Sequence, residues 1–342
     1  MTIRAGRTIF TAFSVALLAG CAGAQTASPQ GLADSASGPA LLVANKRGDS
    51  LSRVDLASGE ETVRVDTCAN PHELAVSPDQ RHVAVVCYDG DGLEVYRTAD
   101  LGRVKAIELG AGARPHGIVW HPSGMIVASA EGRGSIFTVA EPMTDAPQVA
   151  EIVSGESGGR DGPHMVVVDR EGATAWGTVI PAATVVRYNL RAGAVAGRTV
   201  LSGETEAIAL SPDDATVWVG ANSADRIHAL DAETLAEETS VTTGDTPIRI
   251  AMHPSGRWVV TSNLGDGSLS VIDTRSGELT RTIPVSGNAE TAQVTLIFSR
   301  NGERLFAAET ATNQVAEIDF GRGEVLRRLP AGEGGDGLAV VY

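Results

Sequence analysis

The sequence predicts an all-β fold, a seven-bladed β-propeller of four-stranded antiparallel blades. Three observations lead to this prediction: a repeat of a little over forty residues, four strand-like segments in each repeat, and an incomplete repeat at either end of the chain. The composition agrees, because 39 glycines and only 20% charged residues among 342 favour many tight turns over long solvated helices.

The repeat is clearest where an apolar strand runs into a turn. Residues 71–79 read PHELAVSPD and residues 115–124 read PHGIVWHPSG. Four further segments match them: 163–172, 205–214, 247–256 and 293–302. Counted from Pro78, equivalent turn positions are spaced by 44, 47, 43, 42 and 46 residues. A period in this range is typical of propeller blades.

Each repeat contains four strand-like segments. The first is an apolar run that ends in a Ser-Pro-Asp type of turn, where proline presets φ and Asp or Gly completes the turn. The second is apolar, as in 258–263, and the third alternates, as in 269–273. A turn at 274–277 then leads into the fourth, at 279–285. One repeat therefore predicts one antiparallel blade.

The two ends of the chain hold the parts of one further blade. Residues 41–45, 51–55 and 61–65 match second, third and fourth strands, and no first strand precedes them. Residues 337–342 match a first strand alone. We therefore expect the terminal strands to pair, which closes a ring of seven blades within residues 40–342 and removes two open sheet edges.

The second strands carry a motif of their own. Three of them end in an asparagine: Asn45, Asn222 and Asn263. This ending, and the sequence IDTRSG at 272–277, resemble the Tyr-Val-Thr-Asn motif and turn of YVTN-type repeats, a family among the lactonase-like propellers. The resemblance implies a seven-bladed propeller from about residue 40 onward. The motif departs from the family at Tyr88, which follows Cys87, and at Ala182 and Ala183, which replace a polar loop.

Residues 1–20 are predicted to be an export signal. Two arginines precede an apolar run of roughly a dozen residues, which is too short to span a bilayer. The sequence LAGC at 18–21 resembles the bacterial lipoprotein box, which implies that Cys21 is lipidated and anchors the chain to a membrane, facing the periplasm. Cleavage after Ala24 would instead release a soluble periplasmic protein. Residues 21–39, rich in Ala, Ser and Gly, are predicted to be a flexible tether.

The charge of the chain limits its partners. The formal net charge is -15, from 42 acidic and 27 basic residues. A surface this acidic repels the phosphates of nucleic acids at long range, so nucleic acid is not an expected partner. We expect a small molecule or an envelope protein as partner, contact with the membrane through the lipid anchor only, and a monomer.

The residues just before the first strands are expected to meet at one mouth of the central channel, because equivalent strand ends share one face of a propeller. In chain order they are His72, His116, His164, Glu206, Ile248, Val294 and Asp336. Nearby loops add two candidate ligand-binding residues, Arg114 and Arg160. The three histidines and Glu206 offer donors that bind divalent metals. In the alternative interpretation, Pro-His is a repeated packing element whose imidazole is satisfied by the backbone of the next blade.

Two cysteines remain once Cys21 is assigned to lipid. Cys68 precedes the first strand of its repeat, and Cys87 ends the strand that would pair with it, so both fall near one end of a blade. In an oxidising compartment, a disulfide between them would close a loop of about twenty residues and stabilise the fold by roughly 3 kcal/mol. Two buried free thiols are the alternative.

The sequence contains no P-loop, no His-Glu-x-x-His pair and no Cys-x-x-Cys-His haem site. No cofactor is predicted, apart from the divalent metal that the histidines could bind. The leading hypothesis is a binding or scaffold propeller of the cell envelope, which engages a small molecule, peptide or protein at the loop-rich channel mouth. The alternative is a metal-assisted hydrolase, similar to lactonase propellers, or a lyase acting at the same face.

Overall fold

The computed structural model describes residues 38–155 and 162–342. These residues form seven four-stranded antiparallel sheets, which are the blades of one propeller. The predicted all-β, seven-bladed fold is therefore confirmed. Helical structure in this part of the chain is limited to three short 3₁₀ turns: Glu131–Arg133, Asn222–Ala224 and Ala289–Thr291.

The strands are numbered in chain order and the blades from the N-terminal side. Blade 1 contains β1 (Ala40–Asn45), β2 (Ser50–Asp55) and β3 (Glu61–Asp66). Blade 2 contains β4 (Pro71–Val76), β5 (His82–Cys87), β6 (Gly92–Arg97) and β7 (Arg103–Glu108). Blade 3 contains β8 (Pro115–Trp120), β9 (Ile126–Ala130), β10 (Ser135–Ala140) and β11 (Gln148–Val153). Blade 4 contains β12 (Val166–Val168), β13 (Thr174–Val179), β14 (Thr184–Asn189) and β15 (Ala194–Val200).

The remaining blades follow the same order. Blade 5 contains β16 (Thr205–Leu210), β17 (Thr216–Ala221), β18 (Arg226–Asp231) and β19 (Glu237–Thr242). Blade 6 contains β20 (Pro247–Met252), β21 (Trp258–Asn263), β22 (Ser268–Asp273) and β23 (Glu278–Pro284). Blade 7 contains β24 (Gln293–Phe298), β25 (Arg304–Glu309), β26 (Gln314–Asp319) and β27 (Glu324–Pro330). The last strand, β28 (Gly335–Val341), belongs to blade 1.

The ring closes through β28, as the sequence predicts. This strand pairs antiparallel with β1, so that Ala40 lies opposite Val341 and Val43 lies opposite Leu338. β1 is consequently paired on both sides, with β28 and with β2. Because the two ends of the chain share one sheet, the first and last blades leave no open edge between them.

The core lies between consecutive blades. Apolar side chains of each blade pack against those of the next, forming a layer at all seven blade junctions. Between blades 2 and 3, for example, Leu93, Val95 and Phe137 are at most 2% exposed. Burial of one such side chain stabilises the fold by about 1.5–3 kcal/mol. The seven layers hold the first strands of neighbouring blades against each other around the central channel.

The first strands are irregular where they begin. In six of the seven blades described, one extra residue is inserted between the first pair of the strand and the regular ladder. In β4, for instance, Pro71 lies opposite Cys87 but Leu74 lies opposite Val85. A bulge of this kind changes the direction of side chains that would otherwise alternate between the two faces of the sheet. It lies at the channel mouth, so it decides which side chains line the channel there.

Several predictions concern residues outside the described ranges. They are the export signal at 1–20, most of the tether at 21–39, the lipidated Cys21 and the candidate ligand residue Arg160. Within 38–155 and 162–342, no helix is long and apolar enough to cross a membrane.

Candidate functional site

The polar residues expected at the channel mouth lie together in the structure. Five consecutive blades contribute one each, at or just before the first strand: Asp336, His72, His116, His164 and Glu206. Each of them except Glu206 is less than a tenth exposed, and Glu206 is partly buried. The mouth of the channel is therefore lined by polar groups that are largely removed from water.

The three histidines stack in a row, which we call the histidine row: His72, His116 and His164. The ring centroids of His72 and His116 are 4.1 Å apart, and those of His116 and His164 are 3.6 Å apart. Tyr88 packs beside the row, 5.5 Å from the His72 ring and 5.4 Å from the His116 ring. Adjacent blades thus place their imidazoles in direct contact, because each histidine lies at or just before the first strand of its blade.

His164, at one end of the row, is flanked by two carboxylates. Its Nδ1 is hydrogen-bonded to Glu131, and its Nε2 lies 3.3 Å from Oε1 of Glu206. Burial would lower the pKa of His164, but the hydrogen bonds and charges of the two carboxylates outweigh it and raise the pKa above its usual value. The Tyr88 hydroxyl donates to the other oxygen of Glu131, at 2.6 Å. These contacts fix the orientation of the His164 ring.

Arg249 neutralises the carboxylates from within the channel. Its Nη1 donates to Glu206, and its Nη2 donates to Oε1 of Glu73 at 3.2 Å. Asn222 donates to the other oxygen of Glu206 at 2.8 Å. Burial opposes the charge on Glu206, but Arg249 and His164 hold the pKa of this carboxyl below its usual range. The two carboxylates in turn raise the pKa of Arg249 in spite of its burial.

Asp336 forms a second ion pair at the opposite end of the row. Nζ of Lys46 donates to its Oδ2 at 2.7 Å, and the Thr295 hydroxyl donates to its Oδ1 at 3.2 Å. Burial would raise the pKa of Asp336, but attraction to Lys46 and other cationic neighbours lowers it. The same Oδ2 lies 3.5 Å from Nε2 of His72. Asp336 is therefore an ionised acceptor beside the histidine row.

The other two histidines of the row are neutral at physiological pH. Burial lowers the pKa of His72 to about 3, and it lowers the pKa of His116 well below its usual value. In each ring Nδ1 is buried and has no hydrogen-bond partner. A neutral imidazole with an unpaired nitrogen can accept a proton or a hydrogen bond, or bind a metal ion. These two nitrogens are available to a ligand, and Nε2 of His164, 3.3 Å from Glu206, is also without a hydrogen-bond partner.

Sequence reasoning missed Glu73 and Arg249. It assigned one channel-facing position to each blade, whereas the bulge directs a second residue into the channel, directly after the first. In blade 6 the position expected to face the channel is Ile248. The residue that contributes a polar group there is instead the next one, Arg249. A signal was available, since a charged residue interrupts the otherwise apolar first strands at both positions.

The chain next to the row is secured by a disulfide. Cys68 and Cys87 are bonded, with their Cα atoms 5.6 Å apart. Cys87 directly precedes Tyr88, which contacts the row, and Arg114 places its guanidinium 4.6 Å from the centre of the Tyr88 ring. Arg114 thus lies beside the site, against the Tyr88 ring.

The asparagines that end the second strands have different roles. Asn45 donates to the hydroxyls of Ser50 and Ser52, at 3.1 and 2.8 Å, and Asn263 makes equivalent bonds to serines of its own blade. Both are fully buried and hold the loop between second and third strands. Asn222 instead binds Glu206, so only this one belongs to the site.

A closed ring of seven blades, with a buried polar cluster at one channel mouth, defines the class of this protein as a seven-bladed β-propeller. Within that class the chain belongs to the YNCE-like beta-propeller family, whose family model matches residues 2–341. The predicted resemblance to repeat propellers of the YVTN type is thereby confirmed. None of the curated protein sequences compared with the chain matches it significantly.

Solved structures share the fold at low sequence identity. A functionally unknown protein from Desulfotomaculum acetoxidans superimposes with a TM-score of 0.72 at 14% identity, over 89% of this chain and 99% of its own. The periplasmic gluconolactonase PpgL of Pseudomonas aeruginosa gives 0.70 at 18% identity, again over 89% and 99%. The dihydro-heme d1 dehydrogenase NirN gives 0.61 at 15% identity, over 88% of this chain and 74% of its own.

Proposed function

We propose that this chain is a binding propeller of the bacterial cell envelope that takes a small polar ligand at the channel mouth. The observation that supports this most directly is the pair of buried, unpartnered Nδ1 atoms on His72 and His116. A buried polar atom without a partner costs about 1–3 kcal/mol, which a ligand recovers when it supplies the missing hydrogen bond. The same cluster holds three further atoms of this kind: Nε2 of His164, Oδ1 of Asn222 and Nε of Arg249.

The charges of the site favour a ligand that is neutral and rich in hydroxyl groups. Two fixed cations, Arg249 and Lys46, already pair with the carboxylates of Glu206, Glu73 and Asp336. A strongly charged ligand would have to break one of these buried pairs, at considerable cost. Hydroxyl groups, by contrast, donate to carboxylates and to neutral imidazoles and accept from guanidinium and ammonium groups.

Hydrolysis of such a ligand is the second candidate function. His116 is neutral and unpartnered at Nδ1, so this nitrogen can take a proton, and the lowered pKa of the ring makes it a weak base. Arg249 lies in the same cluster and is a group that stabilises developing negative charge. A lactone is the natural substrate to test, because a gluconolactonase shares the fold.

The experiment compares binding with turnover. Gluconolactone, gluconate and neutral sugars are titrated into the purified protein by calorimetry, and lactone opening is followed by acid release against a protein-free blank. Saturable binding without turnover, weakened at least tenfold by His116→Asn and unchanged by His82→Asn, supports the binding function. Turnover above the blank that is lost in His116→Asn supports the hydrolase. Absence of saturable binding across the panel contradicts both.

We also propose that the chain acts outside the cytoplasm, attached through lipid on Cys21. The basic N-terminal stretch, the short apolar run and the LAGC sequence at 18–21 support this. Expression of the full chain in a bacterium should yield a membrane-associated protein whose N-terminal peptide carries diacylglycerol on Cys21. Cys21→Ser should abolish the lipid. An unmodified Cys21, or a mature chain that begins after it, contradicts the lipid anchor.

A further inference from the structure

We propose that the channel mouth binds one divalent first-row transition-metal ion through Nδ1 of His72, an imidazole nitrogen of His116 and a carboxylate oxygen of Glu73. This deepens the proposed function and rests on it, because the ion would occupy imidazole nitrogens of His72 and His116 and would offer the ligand an open coordination position in their place. The set differs from the donors expected from the sequence: it includes Glu73, and it excludes His164 and Glu206.

The three donors are close enough to share an ion. One ligand atom from each of His72, Glu73 and His116 lies within 4.8 Å of the other two. Nδ1 of His72 and Oε1 of Glu73 are 3.9 Å apart. Ligands of a tetrahedral zinc ion, bound at about 2.0–2.1 Å, are separated by about 3.4 Å. Small rotations of the side chains would therefore bring the donors into place.

The donors are also available. Nδ1 of His72 and Nδ1 of His116 are buried and have no hydrogen-bond partner. The His116 residue as a whole is 2% exposed, and His72 is 9% exposed. Unpaired imidazole nitrogens at this depth give up little hydration when they bind an ion, so a metal would remove the cost of leaving them unpaired.

Neighbouring residues are placed to orient the donors. Oδ2 of Asp336 lies 3.5 Å from Nε2 of His72, where it can accept a hydrogen bond from Nε2–H and leave the unprotonated Nδ1 to bind the ion. Lys46 and Thr295 hold Asp336 in position. Arg249 likewise donates to Glu73, so the carboxylate is fixed as well. A carboxylate behind a ligating histidine is a common arrangement in metal sites.

His164 and Glu206 are left out because neither belongs to the group of donor atoms that lie within 4.8 Å of one another. The two nitrogens of His164 face Glu131 and Glu206. Glu206 accepts from Arg249 with one oxygen and from Asn222 with the other. These residues would have to break several buried contacts to bind an ion. His164 and Glu206 lie beside the proposed ion, and His164 stacks on His116.

The donor set determines the class of ion. Two imidazoles and one carboxylate suit Zn²⁺, Co²⁺, Ni²⁺ or Cu²⁺, whereas Ca²⁺ and Mg²⁺ prefer sites made of oxygen atoms. Three protein ligands leave one position for water or a ligand hydroxyl, as in catalytic zinc sites. The proposed ion is therefore a transition metal with an exchangeable position that faces the channel.

The test uses the full chain without a histidine tag, stripped of metal with a chelator and dialysed. Zn²⁺ is titrated by calorimetry, and Cu²⁺ is added at one equivalent for electron paramagnetic resonance. We expect one Zn²⁺ per chain and a copper spectrum with coupling to two nitrogens. His116→Asn should remove one nitrogen coupling. Glu73→Gln and Asp336→Asn should each lower Zn²⁺ affinity by about 10–100-fold, and His82→Asn should not change it.

The outcomes separate this inference from the proposed function. Failure of the wild-type chain to bind Zn²⁺, a copper spectrum without two nitrogen couplings, or equal affinity in folded His116→Asn would overturn the metal site. Circular dichroism melting identifies any variant that does not fold, and the wild-type copper spectrum tests the ligands without a variant. A protein that binds no Zn²⁺ but still binds a hydroxylated ligand saturably would keep the binding function while the metal site fails.

Discussion

At the scale of single residues, the charge balance of the site depends most on Arg249. Its side chain is 5% exposed and contacts two carboxylates from other blades, Glu206 and Glu73. Removal of one partner from a buried ion pair leaves a charge without compensation, which costs far more than loss of a surface pair. The same guanidinium keeps Glu206 ionised. Stability and the charge of the site therefore depend on one residue.

We predict that Arg249→Met lowers the free energy of unfolding by about 3–5 kcal/mol in urea denaturation. The matched control is Arg257→Met, since Arg257 pairs with Asp273 at 3.2 Å but its side chain is 54% exposed. The control substitution should lower the free energy of unfolding by less than about 1 kcal/mol. Adding Glu206→Gln to Arg249→Met should recover part of the loss. Equal effects of the two arginine variants would contradict the prediction.

The buried, neutral His72 makes stability depend on pH. Its pKa is about 3 in the folded chain, against 6.5 ordinarily, because burial disfavours the imidazolium. Between these values the unfolded chain binds a proton that the folded chain does not. The contribution of His72 is therefore fully present above pH 6.5 and is lost as pH falls toward 3, at up to about 1.4 kcal/mol per pH unit.

We predict that His72→Gln makes the free energy of unfolding less dependent on pH between 6.5 and 4.5. Urea titrations of wild type and variant, in the presence of a chelator, should differ in slope by about 1 kcal/mol per pH unit. His82→Gln is the matched control and should follow the wild type. Parallel pH profiles for wild type and His72→Gln would show that the ring is not held neutral by burial.

At the scale of elements, the bulged starts of the first strands determine the site. Close backbone contact between neighbouring first strands is needed there. Gly117, which follows His116, donates its N–H to the His164 carbonyl of the next blade at 2.9 Å. A Cβ at Gly117 would lie 2.8 Å from Cα of Met165 and 2.8 Å from N of Val166. The absence of a side chain at Gly117 therefore lets two histidines stack.

We predict that Gly117→Ala destabilises the fold by about 1–3 kcal/mol, because the two strands must move apart. The separation of His116 from His164 should also weaken ligand or metal binding. Gly197→Ala is the control, since its Cβ would meet nothing closer than Leu235 Cδ1 at 3.8 Å. A change of less than about 1 kcal/mol is expected for the control. An unchanged melting curve for Gly117→Ala would contradict the packing argument.

At the scale of the whole molecule, closure of the ring holds the chain together. Blade 1 is completed only when β28 reaches β1, so the pairing of Ala40 with Val341 joins the ends of the fold. The site depends on the same closure, because Asp336 lies in β28 and Lys46 follows β1. Removal of β28 would leave an unpaired edge and an incomplete site.

We predict that truncation after Pro330 yields an aggregating chain, because β1 loses its partner on the channel side. A circular permutant should fold, with Tyr342 joined to Gly38 by a short Gly-Ser linker and new ends in the exposed turn between Ala192 and Gly193. Light scattering after size exclusion and circular dichroism distinguish the two. A monomeric truncated chain with the wild-type melting temperature would show that closure is dispensable.

The sequence by itself determined the architecture, because strand periodicity and turn chemistry recur in every repeat and are local. It also located His72, His116, His164, Glu206 and Asp336 at one mouth, since equivalent repeat positions occupy equivalent places in a ring. It did not determine which of these side chains are paired.

Only the tertiary structure decided the composition of the site. The bulges add Glu73 and Arg249, and Arg249 pairs with Glu206 of the neighbouring blade and with Glu73 across the channel. Nδ1 of His72 and Nδ1 of His116 are left without a hydrogen-bond partner. The contact between Glu73 and Arg249 joins blades that are distant in the chain, because the two residues are 176 positions apart. A periodic pattern contains no information about such partners, because they follow from the curvature of the closed ring and from burial.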